Sequence, residues 1–516
     1  MKLSEQTLQK KFEEKKKEFY YVPLNKCRFS KDVPTASISM KTFEISVNPD
    51  FIERTAETGK ITPEKALDAI LEHEIGHFAY HPFSAERVIA EVINAKGFQN
   101  GESVRQLYDD INNNLRLVAR NPSSNIPLLY RATSPESDLE KVILKFYERQ
   151  TEQEFGAGEI SHELEPYVFS LEKINFLNAT PQGRIEFVKS SEGANLSDMG
   201  KFYHALKPLF EKQEGQPQTN NPTSPSPDDF DEKNLRKGLK KLIQGGTISR
   251  EDVKKFIDDH GHNFESGSLP GGAYNNNPES FADRFFYESL AQKYKIRIKK
   301  APIVSSDGAY PTSLDKLSFS DSLEDFDPFS SMGTRILPGV SNKWIREQIK
   351  SHGQFEKTPD LCLLLDDSGS MPDPREETSN AVISSLAISR EYIKNQASVA
   401  VILFSDRTIS FEGSKDYNLV AEHLRTYKKG NDTRIDLKKV PKKDGADYVV
   451  ITDGEIKNRD EAIGFLNEHA NRAYFITINE DKPHSVEGRV KHMYVHHAED
   501  IGKIVLDDIH RKGKQT

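Results

Sequence analysis

ITPEKALDAILEHEIGHFAYHP, residues 61–82, places His73, Glu74 and His77 in an H-E-x-x-H spacing, and the rest of the chain is read outward from it. Thr62 is a favoured N-cap residue and Pro63 suits the first helical position, while Pro82 cannot continue a helix and pushes His81 towards extended geometry. The stretch is therefore predicted to be one helix, closed at both ends. Residues four apart on an α-helix lie one above the other, so His73 and His77 can present two imidazoles to a single ion. Ala66, Ala69 and Ile70 make an apolar stripe that leads into this face and turns the histidines inward. Glu74 sits a step round the same face, where a carboxylate can polarise a metal-bound water and take its proton. That arrangement points to zinc-dependent peptide hydrolysis, with Glu74 as general base.

Zinc in a hydrolase takes a third protein ligand and leaves one position to water. A second helical pattern, SAERVIAEVINAKG, is followed by VRQLYDDINNNLRLVAR, and Asp110 within it is the first candidate. Leu107 and Leu117 lie near its face, and Asn114, one turn on, could orient it through a hydrogen bond. Asp109, Glu91, Glu102 and His81 remain alternatives. His81 extends the i, i+4, i+8 series, but three such histidines span about 12 Å of straight helix, too far for one ion unless the last turn breaks. Upstream, Phe43, Ile45 and Val47 alternate with polar residues, a half-buried strand along whose edge an extended substrate could pair.

A chain of 516 residues suggests about three domains. Hydrophobic residues make up 36% and charged residues 29%, the balance of a soluble globular protein. No apolar run approaches the ~20 residues of a membrane span and residues 1–21 lack a signal-peptide core, so the reading is a cytoplasmic protein with no membrane partner. Cys27 and Cys362 are the two cysteines, too few for a disulfide framework or a multi-cysteine zinc site. A net charge of -9 argues against general nucleic-acid binding, and the basic run KKFEEKKK reads as a solvated helix face.

Residues 4–20 and 135–212 carry helical patterns, and His162 in HELEP lacks a second histidine. QEGQPQTNNPTSPSPDDFDEKN, rich in Pro, Ser, Asn and acids, predicts a flexible linker over 212–235. It would separate a metal-binding domain, 1–211, from a helical and connecting region, 236–350, in which His260 and His262 read as surface residues.

From 351 to 516 short apolar strands alternate with helices, which predicts a doubly wound α/β domain, a mostly parallel sheet covered on both faces. Functional loops in such sheets lie at the carboxyl ends of the strands. Asp366, Ser368 and Ser370 of DDSGS follow the first strand, Thr433 lies in GNDTR and Asp453 ends VVITDG. Their oxygens are hard ligands suited to Mg²⁺ or Mn²⁺. No GxGxxG or P-loop follows the first strand, which argues against a nucleotide site.

HEIGHFAYHP followed by YDDINNN resembles the predicted zincin-type, metal-dependent peptidases that carry a C-terminal von Willebrand factor A domain. The resemblance implies a mainly α (α+β) zincin-like fold for the first domain, Zn²⁺ as cofactor, and Asp110 with Asn114 as its D-x-x-x-N-like third-ligand pair. D-x-S-x-S, a loop threonine and T-D-G are similar to the metal-ion-dependent adhesion site of von Willebrand factor A domains, over residues 355–516. This implies a Rossmann-like domain with Mg²⁺ held by Asp366, Ser368, Ser370, Thr433 and Asp453, one position being left for a carboxylate of an acidic partner protein. By the same analogy a MoxR-type AAA+ ATPase is a candidate partner. Two functions are consistent with these readings. One is a zinc metallopeptidase acting on a protein or peptide, with the A-type domain as docking module. The other is a non-enzymatic adaptor whose zinc site is decayed or closed by a fourth side chain such as His81.

Overall fold

A computed structural model of the protein describes residues 3–80, 84–133, 135, 137–174, 176, 196–212, 224–264, 278–298, 301–302, 310–321, 325–331, 336–347, 356–426, 430–443, 445–454, 456–470, 472–478 and 490–506. The chain divides into two units, Met1–Ser289 and Leu290–Thr516.

In the first unit α1 (Glu5–Glu18) is followed by β1 (Lys26–Phe29), β2 (Ala36–Ser39) and β3 (Glu44–Val47), then by α2 (Pro49–Gly59) and α3 (Pro63–Ala79), which carries the H-E-x-x-H residues. Thr62 caps α3 by accepting from the Lys65 N–H, and Pro63 takes the first position, as the sequence predicts. The burial is wider than a stripe: from Ala66 to His77 every residue but Asp68 is buried. Leu67, Leu71 and Ile75 supply apolar side chains on the remaining faces, and a helix apolar all round belongs at the centre of a unit. Each such side chain contributes about 1.5–3 kcal/mol on burial. Packed around α3 are α1, α2, β2, α5 (Gly101–Arg120) and α6 (Ile126–Thr133). α5 comes very near, because Gly76 has no side chain: a Cβ there would stand 2.3 Å from Asn113 Oδ1.

Three expectations change here. β3 is the middle strand of the order β1-β3-β2, so its edges are both paired and it cannot take a substrate strand. Its Ile45 and Val47 are buried and Phe43 lies before it with φ 56°, which shortens the alternation read from the sequence. The basic run of α1 is not simply solvated, since Lys11 pairs with Asp68 at 3.0 Å and the buried Lys15 lies 3.7 Å from Glu72, both on α3. The expected division at 212–235 is absent as a boundary. α4 (Ala85–Ala95), α7 (Asp138–Thr151), α8 (Glu165–Glu172) and α9 (Leu196–Lys212) are joined in one unit by α10 (Glu232–Gly245) and α11 (Arg250–His260). α10 buries Leu235, Leu239 and Leu242 and lies on α4, where a Cβ at Gly238 would meet Glu86 N at 2.7 Å. Of the linker stretch, 213–223 lie outside the described residues, while Ser224, Pro225, Pro227 and Phe230 are buried. Prolines and short polar side chains there preset an extended backbone and its local caps instead of loosening it.

α12 (Pro278–Lys293) runs across the division into the second unit. Part of what read as a connector is a small antiparallel sheet of Tyr310–Lys316, Asn342–Glu347 and Phe326–Asp327. The main sheet comprises β4 (Leu361–Asp366), β5 (Val399–Phe404), β6 (Thr408–Ser414), β7 (Asp447–Thr452), β8 (Arg472–Ile478) and β9 (Val490–Val495). Its order is β6-β5-β4-β7-β8-β9, parallel throughout except for the edge strand β6. Cys362 and Leu364 of β4 join Val450 and Phe475 beneath Ala462, Phe465 and Leu466 of α15 (Arg459–His469). Alternate residues point to the other face, where α13 (Asn380–Lys394) packs on β4, β5 and β7, next to α14 (Tyr417–Leu424). All six residues of β4 are buried, as expected of a strand covered on both sides. The predicted mixed α/β unit is thus observed, while the closing segment is a short 3-10 stretch, Ala498–Lys503, and 507–516 lie outside the described residues.

Candidate metal centre

α3 and α5 bring three ligand-type atoms together. His73 Nε2 and His77 Nε2 are 3.0 Å apart, and Asp110 Oδ1 stands 3.6 Å from the first and 3.3 Å from the second. A tetrahedral ion with bonds of about 2.0–2.1 Å spaces its ligand atoms about 3.3–3.4 Å apart, so these three can surround one ion of zinc's size. Among the described residues no other group of three His, Cys, Asp or Glu side chains converges in this way.

The alternatives to Asp110 are committed elsewhere. Glu91 pairs with Arg87, while Asp109 and Glu102 hold the two ends of the buried Arg105 guanidinium at 2.9 and 2.6 Å. An arginine one turn away on the same helix pairs with each carboxylate. His81 lies outside the described residues. His162 is exposed, and His262 pairs at 3.0 Å with Asp228 at the surface.

Asn114 orients His73 and not Asp110, because the crossing lays the next turn of α5 over the His73 ring. Its Oδ1 lies 2.9 Å from His73 Nδ1, which fixes Nδ1–H as donor and leaves the Nε2 lone pair for an ion. The Asn114 amide is itself held by donation to the Tyr130 and Tyr147 hydroxyls at 2.7 and 3.1 Å, and Asn113 donates to the His73 carbonyl at 2.9 Å. Tyr130 and Tyr147 were not found by sequence reasoning; their only signal is that of ordinary core aromatics. Ser224 was missed as well, and its hydroxyl donates to Asp110 Oδ1 at 3.1 Å.

Charge in this buried cluster is unevenly held. Burial works against the Asp110 carboxylate, but hydrogen bonds and positive charge from His73 and His77 outweigh it and hold the group at about 2. Burial likewise opposes the His73 cation, yet the Asp110 hydrogen bond and charge raise it above the ordinary histidine value. Glu74 has no such support. Both its oxygens are buried and accept no hydrogen bond from the described residues, and desolvation pushes the carboxyl up to about 8 against the pull of His73. A cation alongside would favour its charged form and return it towards a proton-accepting state.

A second set of polar groups collects where the order of the main sheet reverses, at the carboxyl ends of β4 and β7. Asp366 ends β4, and the Ser368 and Ser370 hydroxyls that follow are 3.0 Å apart. Ser368, Ser370, Thr433 and Gly454 line one surface depression. Burial pushes Asp366 up to about 6, opposed by hydrogen bonds from Thr452 and Ser368 and reinforced by the nearby charge of Asp453. All five residues singled out in the sequence therefore lie at this edge. Thr452, part of the quoted T-D-G but given no role of its own, donates its hydroxyl to Asp366 Oδ2 at 2.6 Å while the Ser368 N–H donates to Oδ1 at 3.0 Å, which fixes the carboxylate. The sequence signal was its place at the end of a strand beside Asp453. Two carboxylates and three hydroxyls form a hard oxygen set of the kind that takes a partly hydrated Mg²⁺.

The sequence matches no family model and no curated protein. Among solved structures the chain is similar to the crystal structure of an aerotolerance-related membrane protein from Bacteroides fragilis NCTC 9343 carrying multiple mutations to serines, with 14% identity and a TM-score of 0.22 over 28% of this chain and 95% of that one. At that score nothing is transferred from it. No helix among the described residues is long and apolar enough to cross a membrane.

Proposed function

We propose that the first unit is a zincin-like, zinc-dependent peptide hydrolase and that the second is a von Willebrand factor A-type docking domain that takes Mg²⁺. The observation that carries the first part is Glu74, a buried carboxylate without a hydrogen-bond partner among the described residues, beside a convergent His73, His77 and Asp110. A structural site has no use for such a group. Leaving it without a partner costs the fold about 1–3 kcal/mol.

His73, His77 and Asp110 would hold zinc, which when bound supplies a Lewis acid for the scissile carbonyl and a water that ionises near neutral pH. Glu74 takes the proton of the attacking water and returns it to the leaving amine. Asn114, steadied by Tyr130 and Tyr147, keeps the His73 ring in the tautomer and orientation that ligation needs. Asp110 brings one negative charge, which balances part of the ion's charge in a site closed to solvent. In the second unit, Asp366, Ser368, Ser370, Thr433 and Asp453 would hold the ion while a carboxylate of an acidic partner or substrate completes its shell.

Elemental analysis tests the first part. Wild-type chain is expected to carry near-stoichiometric zinc, and His73→Ala and Asp110→Ala to carry almost none; wild type that stays zinc-free after reconstitution removes the hydrolase reading. For the second part, Asp366→Ala should weaken Mg²⁺ binding, measured by calorimetric titration, by a factor on the order of 10–100 or more. An unchanged affinity would place the ion elsewhere.

A further inference from the structure

Resting on the hydrolase reading of this site, we propose that Ser224–Asp229 is a strap that holds the metal centre shut, so that a peptide reaches Glu74 only once the strap is displaced. Its first residue touches the ligand set itself. The Ser224 hydroxyl donates to Asp110 Oδ1, the same oxygen that faces both histidine Nε2 atoms. The Pro225 carbonyl accepts from Arg105 Nη1 at 3.0 Å, and this guanidinium belongs to the same α5 helix as Asp110. Ser226 and Asp229 then close a local box, with the Ser226 N–H on Asp229 Oδ2 at 2.8 Å, and the Asp229 charge bears on Glu74.

With this segment in place His73, Glu74 and His77 have 0% exposure. A hydrolase must admit a peptide carbonyl to within bonding distance of its metal, and the Ser224 hydroxyl already occupies the ligand carboxylate while the Pro225 carbonyl is fixed on Arg105 beside it. The strap is built to dock at little entropic cost. Pro225 and Pro227 are largely pre-ordered in the free chain, so few bonds suffice to hold it. The bonds named are polar and reversible: one to Asp110, one to Arg105 and the internal box. The chain thus carries, hydrogen-bonded to the ligand carboxylate, a short Ser-Pro-Ser-Pro peptide with an acidic end.

The test uses the full zinc-loaded chain, with Asp229→Ala as the milder variant and Pro225→Gly/Pro227→Gly as the stronger, neither touching a ligand. Two quantities are measured: the first-order rate of zinc removal by excess dipicolinate, and carbodiimide labelling of Glu74 read by mass spectrometry. Both variants are expected to bind zinc at the wild-type level, to release it at least tenfold faster and to label Glu74 where wild type does not. Equal release and equal labelling, with zinc content intact, overturn the strap and leave the hydrolase reading standing. Zinc absent from wild type and variants alike overturns the hydrolase reading and, with it, the strap.

Discussion

Glu74→Gln is expected to keep the wild-type zinc content while peptide hydrolysis falls by about 10²–10⁴-fold. Glutamine has the shape of the glutamate but no proton-accepting oxygen of useful basicity, and among the described residues Glu74 makes no hydrogen bond to the groups that hold His73 or Asp110 in place. The variant should not be less stable, since a neutral amide replaces a carboxyl that burial already disfavours in its charged form. Hydrolysis is best followed both in the wild-type background and in the strap-loosened one, where access is not limiting. Undiminished cleavage would remove Glu74 as general base. Loss of zinc would instead make it part of the ligand scaffold.

The second large effect concerns stability. Asp447, at the start of β7, is fully buried and accepts from Arg472 at 2.9 and 2.6 Å and from the Tyr392 hydroxyl at 2.7 Å. Asp447→Ala takes the Asp447 carboxylate away from a guanidinium that is only 9% exposed, and from the buried Tyr392 hydroxyl. Removing one member of a buried pair in this way costs about 3–5 kcal/mol. Urea unfolding should show it, with Trp344 as probe, because the single tryptophan of the chain lies in the second unit. Asp447→Leu combined with Arg472→Met should recover much of the loss, since both members of the buried pair are then replaced by apolar side chains. A change below about 1 kcal/mol for the single variant would mean that water replaces the lost partner.

Legibility in the sequence varied with the range of the interaction. The start of α3 follows from Thr62 and Pro63, which act on their own backbone, and it was readable. The strand–helix alternation beyond residue 355 was readable too, because each element shows its own period, and with it the edge at which Asp366 and Asp453 meet. Asp110 was legible as a candidate and no more: its neighbour Asp109 has the same chemistry, and only the direction of each side chain sends one to Arg105 and the other to the histidines. Asn114 was assigned to the wrong partner for the same reason, since a crossing angle between helices is not written in either helix. Ser224 and the buried prolines beside it lay in a stretch whose composition signals a linker; composition reports what a segment can bury, not what it is bound to. α10 and α11 were placed outside the first unit on the strength of that same signal.

The approach of α5 to Gly76 has one more consequence. Every proposed zinc ligand and the amide that steadies one of them stand on two helices that meet there. An ion gripping both would bind the folded unit and not the unfolded chain, and by mass action would add RT ln(1 + [L]/Kd), about 4 kcal/mol at a thousandfold excess over Kd. The resistance of the first unit to unfolding would then be a running measure of the free zinc around it.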